Sequence, residues 1–188
     1  MRFVETPIGG AVVVELERHA DERGYFARAW DPTEFAAAGL TPELAQASVS
    51  RSTRGGTLRG MHFQNAPHEE AKLVRCVRGA IFDVVLDLRP TSDTYLGWHG
   101  VRLDEDNGRA LYVPEGCAHG FQTLADDSDV LYMISRPYVP EASAGVRWDD
   151  PAFGIEWPDT SKRTIGARDL SWPDYIPPGG RNRRNLGT

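Results

Sequence analysis

The sequence predicts a mostly β domain, a sandwich or barrel of many short strands with one or two short helices. Three observations carry this. From Ser48 to Arg136, short apolar or β-branched segments are each bounded by Gly, Pro or Asp. Their spacing of about 8–12 residues is the cadence of sandwiches and barrels. One of them alternates: Phe82, Val84, Leu86 and Leu88 fall on one side, Ile81, Asp83, Val85 and Asp87 on the other. That is a period of two with one apolar face. And a single segment, beginning at Asp31, carries a full set of helix signals.

Taken in order, Ala11-Val-Val-Val14 is a β-branched run that predicts a strand, at an edge or swapped. Asp21-Glu-Arg-Gly24 predicts a turn, after which Tyr25-Phe26 is expected to re-enter the core. Asp31-Pro32-Thr-Glu34 starts a short helix, with Asp as N-cap, Pro in the first turn and Glu completing a capping box. Gly39 ends it and Pro42 follows. Ser48 to Thr53 is polar and extended, and Arg54-Gly55-Gly56 turns the chain. Lys72 to Val77 is a strand, and Gly79 turns it into the alternating segment that Arg89-Pro90 breaks. Thr94–Leu103, Ala110–Val113, Gly120–Leu124 and Asp129–Arg136 complete the set. With no repeat and no linker, one domain is expected over residues 1–175. Residues 176–188, Pro/Gly-rich and then basic, read as a flexible C-terminal tail.

The 188 residues suffice for a sizeable core. A net charge of −6 argues against general binding to nucleic acid or a membrane surface, so an anionic ligand needs a local arginine cluster. Cys76 and Cys117 are too few for a disulfide framework and read as buried free thiols. No apolar run approaches the length of a membrane span and no signal peptide is recognisable, so a cytoplasmic protein is expected.

Two stretches carry chemistry. Arg59-Gly-Met-His62-Phe-Gln64, followed by Lys72, places an imidazole between two cations. Gly108-x5-Pro114-x-Gly116-x2-His119 reads as strand, turn and second histidine. This spacing resembles the second motif of the cupin superfamily, which implies a cupin-type jelly-roll β-barrel. Metal-binding cupins also carry His-x-His in their first motif. Here Gln64 stands two after His62, and His68, Glu69 and Glu70 have the wrong spacing, so no metal is expected. A lone histidine is most simply a hydrogen-bonded core residue; two, flanked by Arg59 and Lys72, fit a shared pocket better. A neutral imidazole is a competent base near neutrality, and nearby cations favour that form. A lysine at a ketone oxygen can steady an enolate, worth about 3–4 kcal/mol per good donor. Tyr132 or Tyr138 could return a proton on the other face, though packing at the barrel mouth explains both tyrosines equally well at this point.

Across about residues 3–172 the chain closely resembles the dTDP-4-dehydrorhamnose 3,5-epimerases. The matching segments are Asp21-Glu-Arg-Gly-Tyr-Phe26, Leu58-Arg-Gly-Met-His-Phe-Gln64, Lys72-Leu-Val-Arg-Cys76, Asp83-Val-Val-Leu-Asp-Leu-Arg89, Pro114-Glu-Gly-Cys-Ala-His-Gly-Phe121, Trp148-Asp-Asp-Pro151 and Ile155-Glu-Trp-Pro158. The resemblance implies a homodimer acting on a nucleotide-sugar, without metal or redox cofactor. It implies His62 as base at C3 and C5, Asp169 as its carboxylate partner, Lys72 on the C4 oxygen and Tyr132 as acid. It places His119 near the sugar, Arg59 and Arg23 on the diphosphate (Arg23 across a dimer), Tyr138 at the nucleotide end and Gln46 near the pocket. The chain departs from the family pattern at His19 (usually aromatic), Arg28 (glutamate), Ser48 (asparagine), Ser143 (glutamate) and Arg168 (lysine, charge kept). A carboxylate replaced by Arg28 reverses a charge and its hydrogen-bonding capacity. These changes bear on nucleotide preference and on which carbon epimerises. A C3-only or C5-only epimerase, the same chemistry on a CDP- or GDP-sugar, and a non-catalytic sugar-nucleotide binding module remain the rival readings, with a metal-dependent dioxygenase the most remote.

Overall fold

The computed structural model describes residues 1–177. The tail expected from residue 176 lies, beyond residue 177, outside the described residues. The elements in chain order are β1 (Arg2–Glu5), β2 (Val12–Glu15), β3 (His19–Asp21), β4 (Gly24–Phe26), α1 (Pro32–Ala37), β5 (Gln46–Ser52), β6 (Thr57–Gln64), β7 (Lys72–Arg78) and β8 (Ala80–Asp87). They continue with β9 (Trp98–Asp104), β10 (Ala110–Val113), β11 (Cys117–Thr123), β12 (Ser128–Ile134), β13 (Ser143–Gly145), β14 (Thr164–Ile165) and α2 (Ala167–Leu170). One sheet runs β1-β2-β10-β7-β12-β5; the second runs β13-β6-β11-β8-β9, with β14 added parallel to β6. The other pairings are antiparallel. The mostly β fold is as expected, and the arrangement is compatible with a jelly roll. Hydrogen bonding does not close the two sheets into a continuous barrel. Among the described residues no helix is long and apolar enough to cross a membrane.

Between the sheets lies the main core, including Val74, Ile81, Val85, Leu103, Leu111, Val113, Phe121 and Val130. Fully burying such a side chain contributes about 1.5–3 kcal/mol. Cys76 and Cys117 are buried here as free thiols, and burial pushes the first up to about 11 and the second to about 12. Two further clusters seal the outer faces. α1 packs Phe35 against Val12, Val14, Leu73 and Tyr112 on the first sheet. The chain after β13 packs Val146, Phe153, Ile155 and Trp157 against Met61, Val84 and Leu86 on the second.

Four expectations need correction. β2 is not an edge strand, because β1 covers it. β8 has two covered faces: Phe82, Val84 and Leu86 pack outward under the late segment, while Ile81 and Val85 pack inward. Its aspartates, both 0% exposed, are held by polar partners rather than water. Tyr25 and Phe26 do not re-enter the core; they are 50% and 69% exposed on the β3–β4 hairpin. Asp31 caps α1 as expected, accepting from Thr33 N and Glu34 N. Glu34 does not close the box, because its carboxylate accepts instead from the Met1 amino group at 2.7 Å.

Candidate active site

A cavity of about 490 Å³ opens between the sheets, a usual size for a small-molecule site. Its second-sheet wall is built on β6 and β11. His62 and His119 are direct partners across these strands, so both side chains project to one face. Arg59 lies three before His62, and simple alternation would send it to the opposite face. The register resolves this: Arg59 pairs Phe121 while His62 pairs His119, so β6 holds one extra residue. The bulge falls at Gly60, whose φ is +139° and where a Cβ would come within 2.5 Å of Gly120 Cα. Glycine at both positions lets the strands approach this closely.

Asp169 reaches His62 through β14. Its parallel pairing, Thr164 to Thr57 and Ile165 to Leu58, seats α2 beside β6. His62 Nε2 then lies 2.7 Å from Asp169 Oδ1, and Gly60 N–H donates to Oδ2 at 3.2 Å. Burial alone would push Asp169 up; the bonds from His62 and Gly60 outweigh it and hold the carboxyl below its usual range. An ionised Asp169 fixes the proton on His62 Nε2 and leaves Nδ1 as the proton-accepting atom. His119 Nε2 pairs likewise with Asp83 Oδ1 at 2.7 Å. Asp83 is pushed up by burial, against the opposing pull of His119 and Lys72.

Lys72 and Tyr132 line the first-sheet wall, on β7 and β12. Lys72 is 8% exposed, and its ammonium donates to His62 O at 2.9 Å and pairs with Glu70 Oε1 at 3.1 Å. Burial lowers it from its ordinary value, with Glu70 pulling back. Arg59 touches Ser52 Oγ and Arg51 O. Arg168 donates to Ser143 Oγ at 3.0 Å and lies over the Trp172 ring. Among the described residues neither arginine is ion-paired to a carboxylate, so both offer charge to an anion. Tyr138 also lines the cavity, and its hydroxyl is lowered by hydrogen bonds with Ser143 and Arg168.

The cavity therefore gathers His62, Tyr132, Asp169, Lys72, Arg59, His119, Tyr138, Ser143 and Arg168. It does not gather Gln46, Ser48, Arg23 or Arg28. Gln46 accepts from the Tyr138 N–H and steadies the rim. Ser48 stands opposite Tyr132 in the β5–β12 ladder. Arg23 binds Asp21 on the exposed hairpin, and Arg28 pairs with Asp31 at the head of α1. Gln64, in place of a cupin metal histidine, binds His68 O and Val139 N–H and ties down the loop before β13. Sequence reasoning gave no role to Glu70, Asp83 or Ser50. A usable signal existed for Asp83, a charge inside an alternating apolar strand.

The comparisons fit this geometry. A family model described as dTDP-4-dehydrorhamnose 3,5-epimerase matches residues 5–176. A dTDP-4-dehydrorhamnose 3,5-epimerase of Methanothermobacter thermautotrophicus is 44% identical over 91% of this chain and 92% of its own. A dTDP-4-dehydrorhamnose 3-epimerase of Streptomyces niveus is 43% identical over 90% and 81%. The crystal structure of the 3,5-epimerase of Bacillus anthracis, with TDP and pyrophosphate bound, superposes with a TM-score of 0.88 at 37% identity, covering 93% of this chain and 99% of that one. Fold, paired histidines and near-complete matches agree, and the chain belongs to the dTDP-4-dehydrorhamnose 3,5-epimerase family.

Proposed function

We propose that this protein epimerises a nucleotide-linked 4-keto-6-deoxyhexose at C3 and C5, converting dTDP-4-dehydro-6-deoxy-D-glucose to dTDP-4-dehydro-L-rhamnose. The observation that carries the reading is the placement of His62 on one sheet, with Asp169 bonded to it from α2, and of Lys72 and Tyr132 on the other sheet, around one cavity. His62 Nδ1 removes the proton α to the ketone, and the electron pair moves onto the C4 oxygen. Lys72 donates to that developing enolate. Tyr132 then gives its hydroxyl proton to the opposite face of the carbon and is reprotonated from solvent, to which His62 returns its own proton. Arg59 and Arg168 hold the diphosphate, with Tyr138 and Gln46 at the nucleotide end and His119 and Ser143 beside the sugar.

The working unit we infer is a homodimer. Arg23, Arg28 and Ser48 lie off the cavity lining, and the β3–β4 hairpin projects Tyr25 and Phe26 outward. A hairpin donated to a second copy would cover those rings and bring Arg23 to that copy's diphosphate.

The deciding experiment is solvent exchange: the protein, dTDP-4-keto-6-deoxyglucose and D₂O, followed by NMR at C3 and C5. Deuterium is expected at both carbons. Deuterium at one carbon would mean a mono-epimerase, the activity named for the 3-epimerase relative, and would direct attention to Ser143. Exchange at neither would overturn the reading of the substrate.

A further inference from the structure

In the cavity wall lies a buried ionic cluster that the mechanism above leaves partly unused. Glu70 precedes β7 by two residues and is 6% exposed. Its Oε1 meets Lys72 Nζ at 3.1 Å, while Oε2 is buried with no hydrogen-bond partner among the described residues. An unsatisfied carboxylate oxygen is costly, and buried ion pairs are often no more stable than neutral replacements. Stability therefore gives a poor account of this carboxylate. Its position gives a better one. An ammonium has three donors; His62 O and Glu70 engage two, leaving one for a ligand in the cavity that Lys72 lines.

The rest of the chain sharpens the point. It contains 19 arginines but only two lysines, Lys72 and the exposed Lys162. A guanidinium stays charged wherever it is buried, whereas an ammonium can lose its proton there. A buried lysine used as an enolate stabiliser needs something to keep it charged. Asp83 also acts on Lys72, but without direct contact, and its Oδ1 is engaged by His119. The other titratable or charged groups around the cavity are His62, His119, Tyr132, Tyr138, Arg59, Arg168 and Asp169.

We propose that Glu70 is a positioning residue for the reaction: its carboxylate, ion-paired to Lys72 in the cavity wall, keeps the ammonium charged and aimed at the enolate oxygen. This rests on the epimerase reading for its catalytic meaning but not for its electrostatics. Burial lowers Lys72 and Glu70 opposes that fall. Removing the carboxylate while keeping a hydrogen-bond acceptor should therefore let Lys72 deprotonate at lower pH.

The test uses the full chain with lysine labelled at ¹³Cε. Only two lysine signals are expected, with Lys162 as the exposed internal reference. The Lys72 signal of Glu70→Gln should titrate at lower pH than in the wild type, and Glu70→Asp should move it back. In parallel, the alkaline limb of kcat/KM should shift to lower pH in Glu70→Gln, with a loss of at least about tenfold at alkaline pH and little change in KM. An unchanged Lys72 titration in Glu70→Gln would overturn the proposal. So would an activity loss uniform across pH, which marks a merely structural role. If Glu70→Gln does not fold, Glu70→Asp alone decides: the proposal requires its titration to stay near that of the wild type. A wild type that shows no epimerisation, with the titration shift intact, would sink the reaction assignment and leave the electrostatic coupling standing.

Discussion

Asp169 gives His62 its direction, and this can be tested with one atom's change. In Asp169→Asn the side chain keeps its shape, but an amide N–H can face Nε2. The imidazole would then accept at Nε2 and carry its proton on Nδ1, leaving no base toward the cavity. We expect kcat to fall by about 10³–10⁴-fold with little change in KM, an estimate taken from loss of the orienting carboxylate in another catalytic system. Steady-state kinetics beside a thermal melt checks this; a near-normal kcat in folded protein refutes it. His62, Lys72 and His119 were legible in the sequence because residue type and local spacing mark them. Asp169 was legible only through family resemblance, since 107 residues separate it from His62. Glu70 went unread because a buried charge has meaning only once its neighbours are known; the alternation of β8 marked Asp83 but not its partner His119. Local pattern does not reveal that β7, β8 and β11 converge beneath one cavity.

At the level of elements, β8 shows how alternation can mislead. Aspartates at every fourth position suggested a half-solvated face; the fold instead buries both. Asp83 goes to His119, and Asp87 accepts from Arg89 N, Nε and Nη2, Ser92 Oγ and Thr94 Oγ1 in the turn that ends the strand. Burial alone would raise Asp87, but these bonds hold it far below its ordinary value. The folded state therefore favours the ionised form. Its contribution is complete above about pH 4, the unfolded carboxylate value, and is lost as pH falls through the lowered folded value. Asp87→Asn should cost about 2 kcal/mol at pH 7, read by denaturant unfolding, and the gap to the wild type should narrow in acid. A gap that persists undiminished at low pH would show that charge is not the cause. The hairpin is a contrasting case: Asp21 to Gly24 announced a turn correctly, yet nothing local said how far Tyr25 and Phe26 would stand from the core.

For the whole molecule, the expected mostly β architecture is present because strand cadence and turn residues are local properties. Which strands become neighbours is not local, and the open edges between the two sheets were invisible in the sequence. The inferred dimer makes a sharp prediction at this scale. Arg23→Ala should weaken substrate binding, and His62→Ala should abolish turnover. Mixing the two variants under exchange should regenerate one complete site in each mixed dimer, because the hairpin and the base come from different copies. Random two-fold pairing would restore about a quarter of wild-type activity. No recovery on mixing, with heterodimers verified, would mean that Arg23 serves its own chain's cavity.

The wide separation of His62 and Asp169 along the chain has a further consequence, in the order of assembly. Local turns and hairpins can form early, but contacts across such a loop close late. The late segment that packs on the second sheet also leads the chain to β14 and α2 beside β6. A half-folded chain would present an imidazole without its carboxylate. Under the proposed mechanism, proton abstraction would thus begin only once the last elements are in place, so that turnover itself certifies a finished fold.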